Sequence, residues 1–454
     1  MLAVLLSLLL VLGCGSNGGT TTDKGSGDSG VVVSNVSGKV RVIVAGGQLE
    51  NGVDPISGKK TMGLKQFFDQ EFSKKYPNIK IELSVAPWEN ADAKMRSLLI
   101  SKDIDVLASG GFEHKYYAAG LLRSIDDLLA KDPAFKPANL YISGLWENSV
   151  FNKTLDGVRF GLPTTLGQRM VIYDKKLFDD WGVPYLSERP TPEEILEKAK
   201  KMTGKNPKTG EMNYGFYFAG NNLAGSLFTT LTFAFDAPGF QGDLKDHKNI
   251  NWQLDTPNMA KVMNWLGEAA KLAHPAFVNN KGNENFGTDK NVNAINLEMN
   301  GAKIISDYKG SGKKDMIERF VPTLNLGPKG EGWVANDSIT MAKEPQNLEA
   351  AWEVMKFMGG YDYQKYNYEM FGNAPTLKNP DFLNPDDVYL QKALKIAEVG
   401  HTSLHDSVGE YFSSELNPAV NGFISSAATG KTPDVAAFLK QQQDKAKNWS
   451  SLLK

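Results

Sequence analysis

The chain of 454 residues carries 50 Lys and Arg against 52 Asp and Glu, is 41% hydrophobic, and holds one cysteine. That length exceeds one ordinary core and calls for two or three globular units, and the average composition excludes wholesale disorder, collagen and coiled coil. A net charge of -2 gives no electrostatic reason for a nucleic-acid partner, and a single thiol excludes an internal disulfide.

Leu2 to Leu12 is apolar apart from Ser7 and runs into Gly13 and Cys14. Such a run is too short for a bilayer span of about 20 residues but suits the apolar core of a secretory signal over residues 1–13. The stretch Leu10-Val11-Leu12-Gly13-Cys14 resembles the bacterial lipobox. That resemblance implies cleavage before Cys14 and a diacylglyceryl group on its sulfur. Gly15 to Gly30 is almost wholly Gly, Ser, Thr, Asn and Asp, which buries nothing, so residues 14–38 are expected to form a flexible tether of roughly 25–30 Å. Two or more acyl chains would hold it stably, at about 0.8 kcal/mol per buried methylene. The expected location is the outer face of the bacterial cytoplasmic membrane.

Beyond the tether, Val40 to Ala45 is a buried strand ending in Gly46-Gly47. Leu64, Phe67, Phe68 and Phe72 recur at helical spacing over Gly63 to Lys75, and Pro77-Asn78 breaks that helix. Ile79 to Val85 alternates as a second strand, Asn90 to Ser101 is helical, and Ile104 to Ala108 is a third strand. This order predicts a largely parallel sheet with helices on both faces. Ligands collect beyond the carboxyl ends of such strands, so Gly46-Gly47, Ala86-Pro87-Trp88 and Ser109-Gly110-Gly111-Phe112 should lie together. Later helices are predicted over Thr191 to Met202, Pro257 to Leu272 and Asn347 to Met358, and no linker separates two halves.

Several stretches then share one pattern. Asp105-Val106-Leu107 with Ala118-Ala119-Gly120-Leu121-Leu122, then Phe160-Gly161-Leu162-Pro163, Ile172-Tyr173-Asp174-Lys175-Lys176-Leu177-Phe178 and Asn347-Leu348-Glu349-Ala350-Ala351-Trp352, resemble successive motifs of family-1 extracellular solute-binding proteins. Asp174 replaces the usual Asn, and the Trp of the Pro190-Thr191-Pro192 helix start is missing. The resemblance covers roughly residues 39 to 380. It implies an α/β, two-lobed periplasmic-binding-protein-like fold of class II type, each lobe a mostly parallel sheet flanked by helices. Residues 39–165 plus 306–360 would form lobe 1, and 166–305 plus 361–454 lobe 2. About three hinge crossings would fall near Pro163 to Gly167, Ile305 to Asp307 and Gly359 to Tyr361. It further implies the receptor of an ABC importer, a monomer that passes a carbohydrate to permease subunits.

A sugar presents an apolar ring face and many hydroxyls, so its receptor needs flat aromatics beside planar polar groups. At the strand exits Trp88, Gly111, Phe112 and Glu113 are the candidates. Thr165 and Gln168 lie on the first crossing, Asn222 and Phe228 follow the Phe216-Tyr217-Phe218 strand, and Asp307 and Tyr308 follow the Lys303 to Ser306 strand. Family logic adds Trp333 and Asn336. Trp265 and Trp352 are expected in the core, and the Tyr361, Tyr363, Tyr366, Tyr368 cluster on a lobe surface. His401 and His405 share helical spacing without a third ligand in pattern, so neither metal nor cofactor is expected. No nucleophile elbow, P-loop or dinucleotide fingerprint occurs, and no covalent chemistry is expected. The alternatives are a receptor for a peptide, polyamine or phosphorylated molecule, or a secreted carbohydrate-active enzyme.

Overall fold

The computed structural model describes residues 34–53, 59–149, 151–154, 157–218, 227–241, 250–279, 281–282, 285–299, 308, 312–332, 334–399 and 411–452. Cys14 and the signal and tether expected before residue 34 lie outside them. Ten strands build the two main sheets: β1 Gly38–Ala45, β2 Ile79–Ala86, β3 Val106–Ala108, β4 Gly161–Gln168, β5 Met170–Asp174, β6 Gly204–Lys205, β7 Met212–Tyr217, β8 Asn293–Met299, β9 Phe320–Thr323 and β10 Val334–Met341. The first sheet runs β2-β1-β3-β10-β4 and the second β9-β5-β8-β7-β6.

Alternation along β1 sorts its side chains between two packing layers. Val40, Val42 and Val44 join Phe67, Phe68 and Phe72 with Ala350, Val354 and Met358 on one face. Ile43 and Ala45 join Met95, Leu99 and Tyr116 on the other. Because both faces are covered, the strand reads as a continuous apolar run rather than an amphipathic one. The helix expected over Gly63 to Lys75 forms, but its turns widen to π geometry over Phe68–Phe72 before closing at Ser73–Lys75.

β1 lies parallel to β2 and β3, whereas β10 runs antiparallel to both β3 and β4. In the second sheet β8 is parallel to β7 but antiparallel to β5, and β9 and β6 also pair antiparallel. The sheets are therefore more mixed than the expected mostly parallel ones. The reason is the traffic between lobes. β4 leaves the first sheet at Gln168 and, after Arg169 alone, enters the second as β5, while β9 leaves the second and returns as β10. A strand that arrives at an edge where others depart must run against them.

The second sheet carries the larger core, with Ile195, Ala199, Met259, Val262, Leu266, Val420, Ile424 and Leu439 drawn from four helices. Thr191 caps the first of these, its hydroxyl accepting from the Glu194 N–H at 3.1 Å, with Pro192 in the first turn. Trp265 and Trp352 are core residues as expected, 4% and 6% exposed. A third cluster sits where the chain crosses: Leu166 and Val334 from the first sheet pack with Met170, Ile172 and Phe320 of the second beneath Tyr389, Leu390, Ala393 and Ile396.

Two lobe boundaries need correction. β9 belongs to the second sheet, so that lobe extends past residue 306 to at least Thr323. The helix Tyr361–Phe371 belongs to the first: Tyr366 stacks on Phe67 at 4.2 Å and donates to the Met62 carbonyl at 2.8 Å. Tyr363 and Tyr366 are thus core rather than surface. Gly359 and Gly360 join two helices of one lobe and are not a crossing. The Gly359 carbonyl accepts from Tyr141 and Gln364, and an added Cβ would sit 2.7 Å from Tyr141 Oη. The last passage comes later, between Lys378, still bonded to Leu140 of the first lobe, and the helix Val388–Val399 that packs across β4, β5 and β9. The expected crossing at Ile305 to Asp307 lies outside the described residues.

Candidate functional site

β1, β2 and β3 all end at the edge where β4 departs for the second lobe, since β3 and β4 are both antiparallel to β10. Their exits meet as expected, and the meeting point is one side chain. Trp88 opens a short turn after β2 and is 56% exposed. Its indole lies against Gly46 after β1 and Gly110 after β3, which have φ of +62° and +68°. A Cβ on Gly46 would fall 1.9 Å from Trp88 Nε1, and one on Gly110 2.4 Å from Cη2. Only residues without a side chain can form this floor. Gly111 has φ of +101° and open space where a side chain would be.

Beside the floor runs β10. Ile339 pairs with Ala108, which sets Ser338 next to Ser109 at the start of the glycine turn. Glu113, in the first turn of the helix Glu113–Ala118, is fully buried. Its Oε1 accepts from the Ser338 N–H at 3.0 Å and the Gly111 N–H at 3.3 Å, whereas Oε2 has no hydrogen-bond partner among the described residues. Burial pushes this carboxyl up to about 8, and the nearby Asp337 carboxylate adds to the rise against the pull of the two N–H groups. Asp337, partly exposed, is also raised by burial, with Arg169 opposing. Asn336 is 1% exposed and donates to Ser338 Oγ at 2.8 Å. Its Oδ1, Ser109 Oγ and Thr340 Oγ1 are buried without partners among the described residues.

The sequence candidates divide accordingly. Trp88, Gly111, Phe112 and Glu113 lie at one edge, with Asn336 on the adjacent strand and Thr165 facing Asp337 across β4 and β10. Phe112 is half-buried and packs towards Tyr116 at 6.2 Å. Gln168 ends β4. Glu113 and Asn336 differ from expectation in being sealed below the surface, so they shape the edge from beneath instead of presenting oxygens at it. Phe228, 1% exposed, is packed in the second core with its ring 6.4 Å from Phe412 and has no free face for a sugar. Tyr308, 4% exposed, is likewise spent on the crossing cluster. Asn222, Asp307 and Trp333 lie outside the described residues. Sequence reading passed over the role of Gly46 and Gly110 as the seat of Trp88. A Gly-Gly pair after each of two parallel strands was the available signal.

The chemistry available here is recognition: an exposed flat ring, open backbone at Gly111 and a strand rich in short polar side chains. Residues 57–365 match the bacterial extracellular solute-binding protein family. A binding protein of Brucella abortus (strain 2308) is 22% identical over 318 residues, covering 68% of this chain and 71% of its own. Among solved structures, an ABC substrate-binding protein of Listeria monocytogenes in complex with cycloalternan superposes with a TM-score of 0.69 at 16% identity, over 91% of this chain and 99% of that one. An ABC transporter solute-binding protein of Agrobacterium vitis S4 with bound D-mannitol gives 0.62 at 20% identity, over 90% and 98%. Maltose-bound MalE3 of T. maritima gives 0.65 at 16%, over 90% and 99%.

Proposed function

The chain belongs to the bacterial extracellular solute-binding proteins, and from that premise we propose that it captures a carbohydrate, an oligosaccharide by preference, for delivery to the permease of an ABC importer. The observation that carries the sugar assignment is Trp88, an indole seated against two glycine turns at the edge facing the second lobe with more than half its surface in water. A large apolar face is left exposed where it serves a partner, and pyranose rings stack on such faces while their hydroxyls take polar groups at the rim. The relatives bound to cycloalternan, mannitol and maltose support the same class. Binding and release are the task this reading assigns, with the two lobes closing on the guest about the crossing strands.

A phosphorylated ligand fits poorly, because Asp337 places a carboxyl at this edge, Arg169 already opposes it, and the buried Glu113 beneath adds no positive charge. Lipidation at Cys14 and the tether after it would keep the receptor at the membrane, and C14S should release the protein from cells into the medium. The sugar assignment is tested by thermal shift of the full chain against maltose, maltotriose, cycloalternan, D-mannitol and D-tagatose, with spermidine, a peptide mixture and glucose 6-phosphate as other classes. A ligand of the native state raises the melting point by mass action. A shift with a sugar that disappears in W88A supports the reading, and a shift with only a non-sugar class overturns it.

A further inference from the structure

We propose that Glu113 is the positioning residue of the Trp88 platform, one buried carboxyl oxygen clamping the Gly110-Gly111 turn to β10 so that the floor beneath the indole stays at one height. This rests on the reading of Trp88 as the ligand platform. Three observations carry it. Glu113 Oε1 is shared by two backbone donors from different strands, Gly111 just after β3 and Ser338 within β10. The second donor stands at a defect: the register between β10 and β4 shifts between Asp337 and Ser338, so the ladder itself does not fix the strand there. The third is the seat of the indole on Gly110, the neighbour of the clamped amide.

A glycine turn with φ of +68° and +101° at successive residues has few intrinsic restraints. Without an acceptor at its centre, the Gly111 N–H would turn to solvent and Gly110 would follow. Trp88 would then lose half its support while keeping its own backbone. Glu113 is 0% exposed and touches no solvent-facing space, so it acts through the turn. The raised proton affinity of the carboxyl fits the same role, since the neutral acid can still accept two N–H groups through its carbonyl oxygen while the other oxygen carries the proton.

The test uses the full chain and the variants E113A, E113D, E113Q and W88F. Two readouts need no sugar: hydrogen exchange of the Gly111 and Ser338 amides, and the Trp88 indole N–H resonance, assigned by its loss in W88F. A third is calorimetric titration with whichever of maltose, maltotriose or cycloalternan binds the parent chain. Folded E113A and E113D should exchange both amides at least tenfold faster, shift the indole resonance and bind the sugar about tenfold more weakly, whereas E113Q, which keeps an acceptor oxygen, should stay within threefold on all counts. E113D covers the case in which E113A fails to fold. Unchanged exchange and an unmoved indole signal in the folded variants overturn the proposal, as does E113Q failing as badly as E113A. If no sugar binds the parent chain, the functional reading fails, and the two sugar-free readouts still decide whether the clamp exists.

Discussion

The two ends of β3 each bury an acid, and they treat it in opposite ways. Asp105, before the strand and away from the crossing, is 0% exposed and fully engaged: Arg41 donates through its backbone N–H, Nε and Nη2 at 2.8, 3.0 and 2.8 Å, and Gln346 N–H at 2.8 Å. Burial alone would raise its pKa, but these donors hold it below the ordinary carboxylate range. Glu113, beyond the other end, has two amides, no cation in contact among the described residues, and an elevated pKa. The second lobe repeats the anchored version at its own outer end, where Asp174 closes β5 under Arg319 at 2.8 and 2.6 Å with Asn291 at 2.8 Å. Ionic anchors thus sit at the outer ends, while the edge that meets the partner lobe keeps a weakly held acid. Charge pairing secures architecture there; the inner edge is left adjustable.

The sharpest way to break this contrast is D105A. Removing one partner of a buried pair costs about 3–5 kcal/mol, and the lower end applies because Arg41 keeps 21% of its side chain in water. The loss should appear as a lower urea midpoint. The pH dependence has a definite sign: Asp105 stabilises above its unfolded value near 3.9 and ceases to do so as pH falls through its lower folded value. D105N should therefore blunt acid unfolding, and an unchanged acid transition would place the contrast in doubt.

G110A comes next. A side chain in the left-handed region costs about 1–2 kcal/mol, and its Cβ would strike the indole, so both melting temperature and sugar affinity should fall together. W88A should leave stability near that of the parent, since the ring is 56% exposed, but weaken sugar binding at least tenfold, about 1.4 kcal/mol, by calorimetry. A W88A protein that binds sugar as the parent does would remove the inner edge from the site.

Glu113 itself supplies a pH signature. Its folded form stays protonated while the unfolded chain ionises, so stability falls as pH climbs from about 4.3 to about 8. The groups that face it are Asp337 on β10 and Tyr116 on its own helix, with Arg169 facing Asp337. E113Q should flatten the decline in melting temperature across that range. An equally steep decline in E113Q would mean that another group titrates there.

Much of this architecture could be read from local pattern. The strand-helix alternation from Val40 to Ala108, the Thr191-Pro192 cap and the glycines after β1 and β3 are short-range signals, and they place Trp88 among the strand exits where the structure has it. Misplaced features depend on what packs where. Phe228 and Tyr308 look no different in sequence from an exposed aromatic, since burial is decided by partners such as Phe412 that lie far along the chain. The same holds for Tyr363 and Tyr366, whose helix could cap either lobe until Phe67 settles the matter. Boundaries near residues 306 and 361 failed because strand membership is a pairing property, and β9 finds its partner β5 about 150 residues upstream.

The seat of the indole also imposes an order on sequence change. While Trp88 is present, neither Gly46 nor Gly110 can acquire a side chain, because each would meet the ring well inside contact distance. Once the tryptophan has been replaced by something small, the steric bar is gone and only the left-handed strain of about 1–2 kcal/mol opposes a side chain at either position, and the way back closes as soon as either is filled. Substitutions at these three sites are therefore strongly epistatic, and a lineage that drifts to a new guest through this corner must abandon its aromatic first.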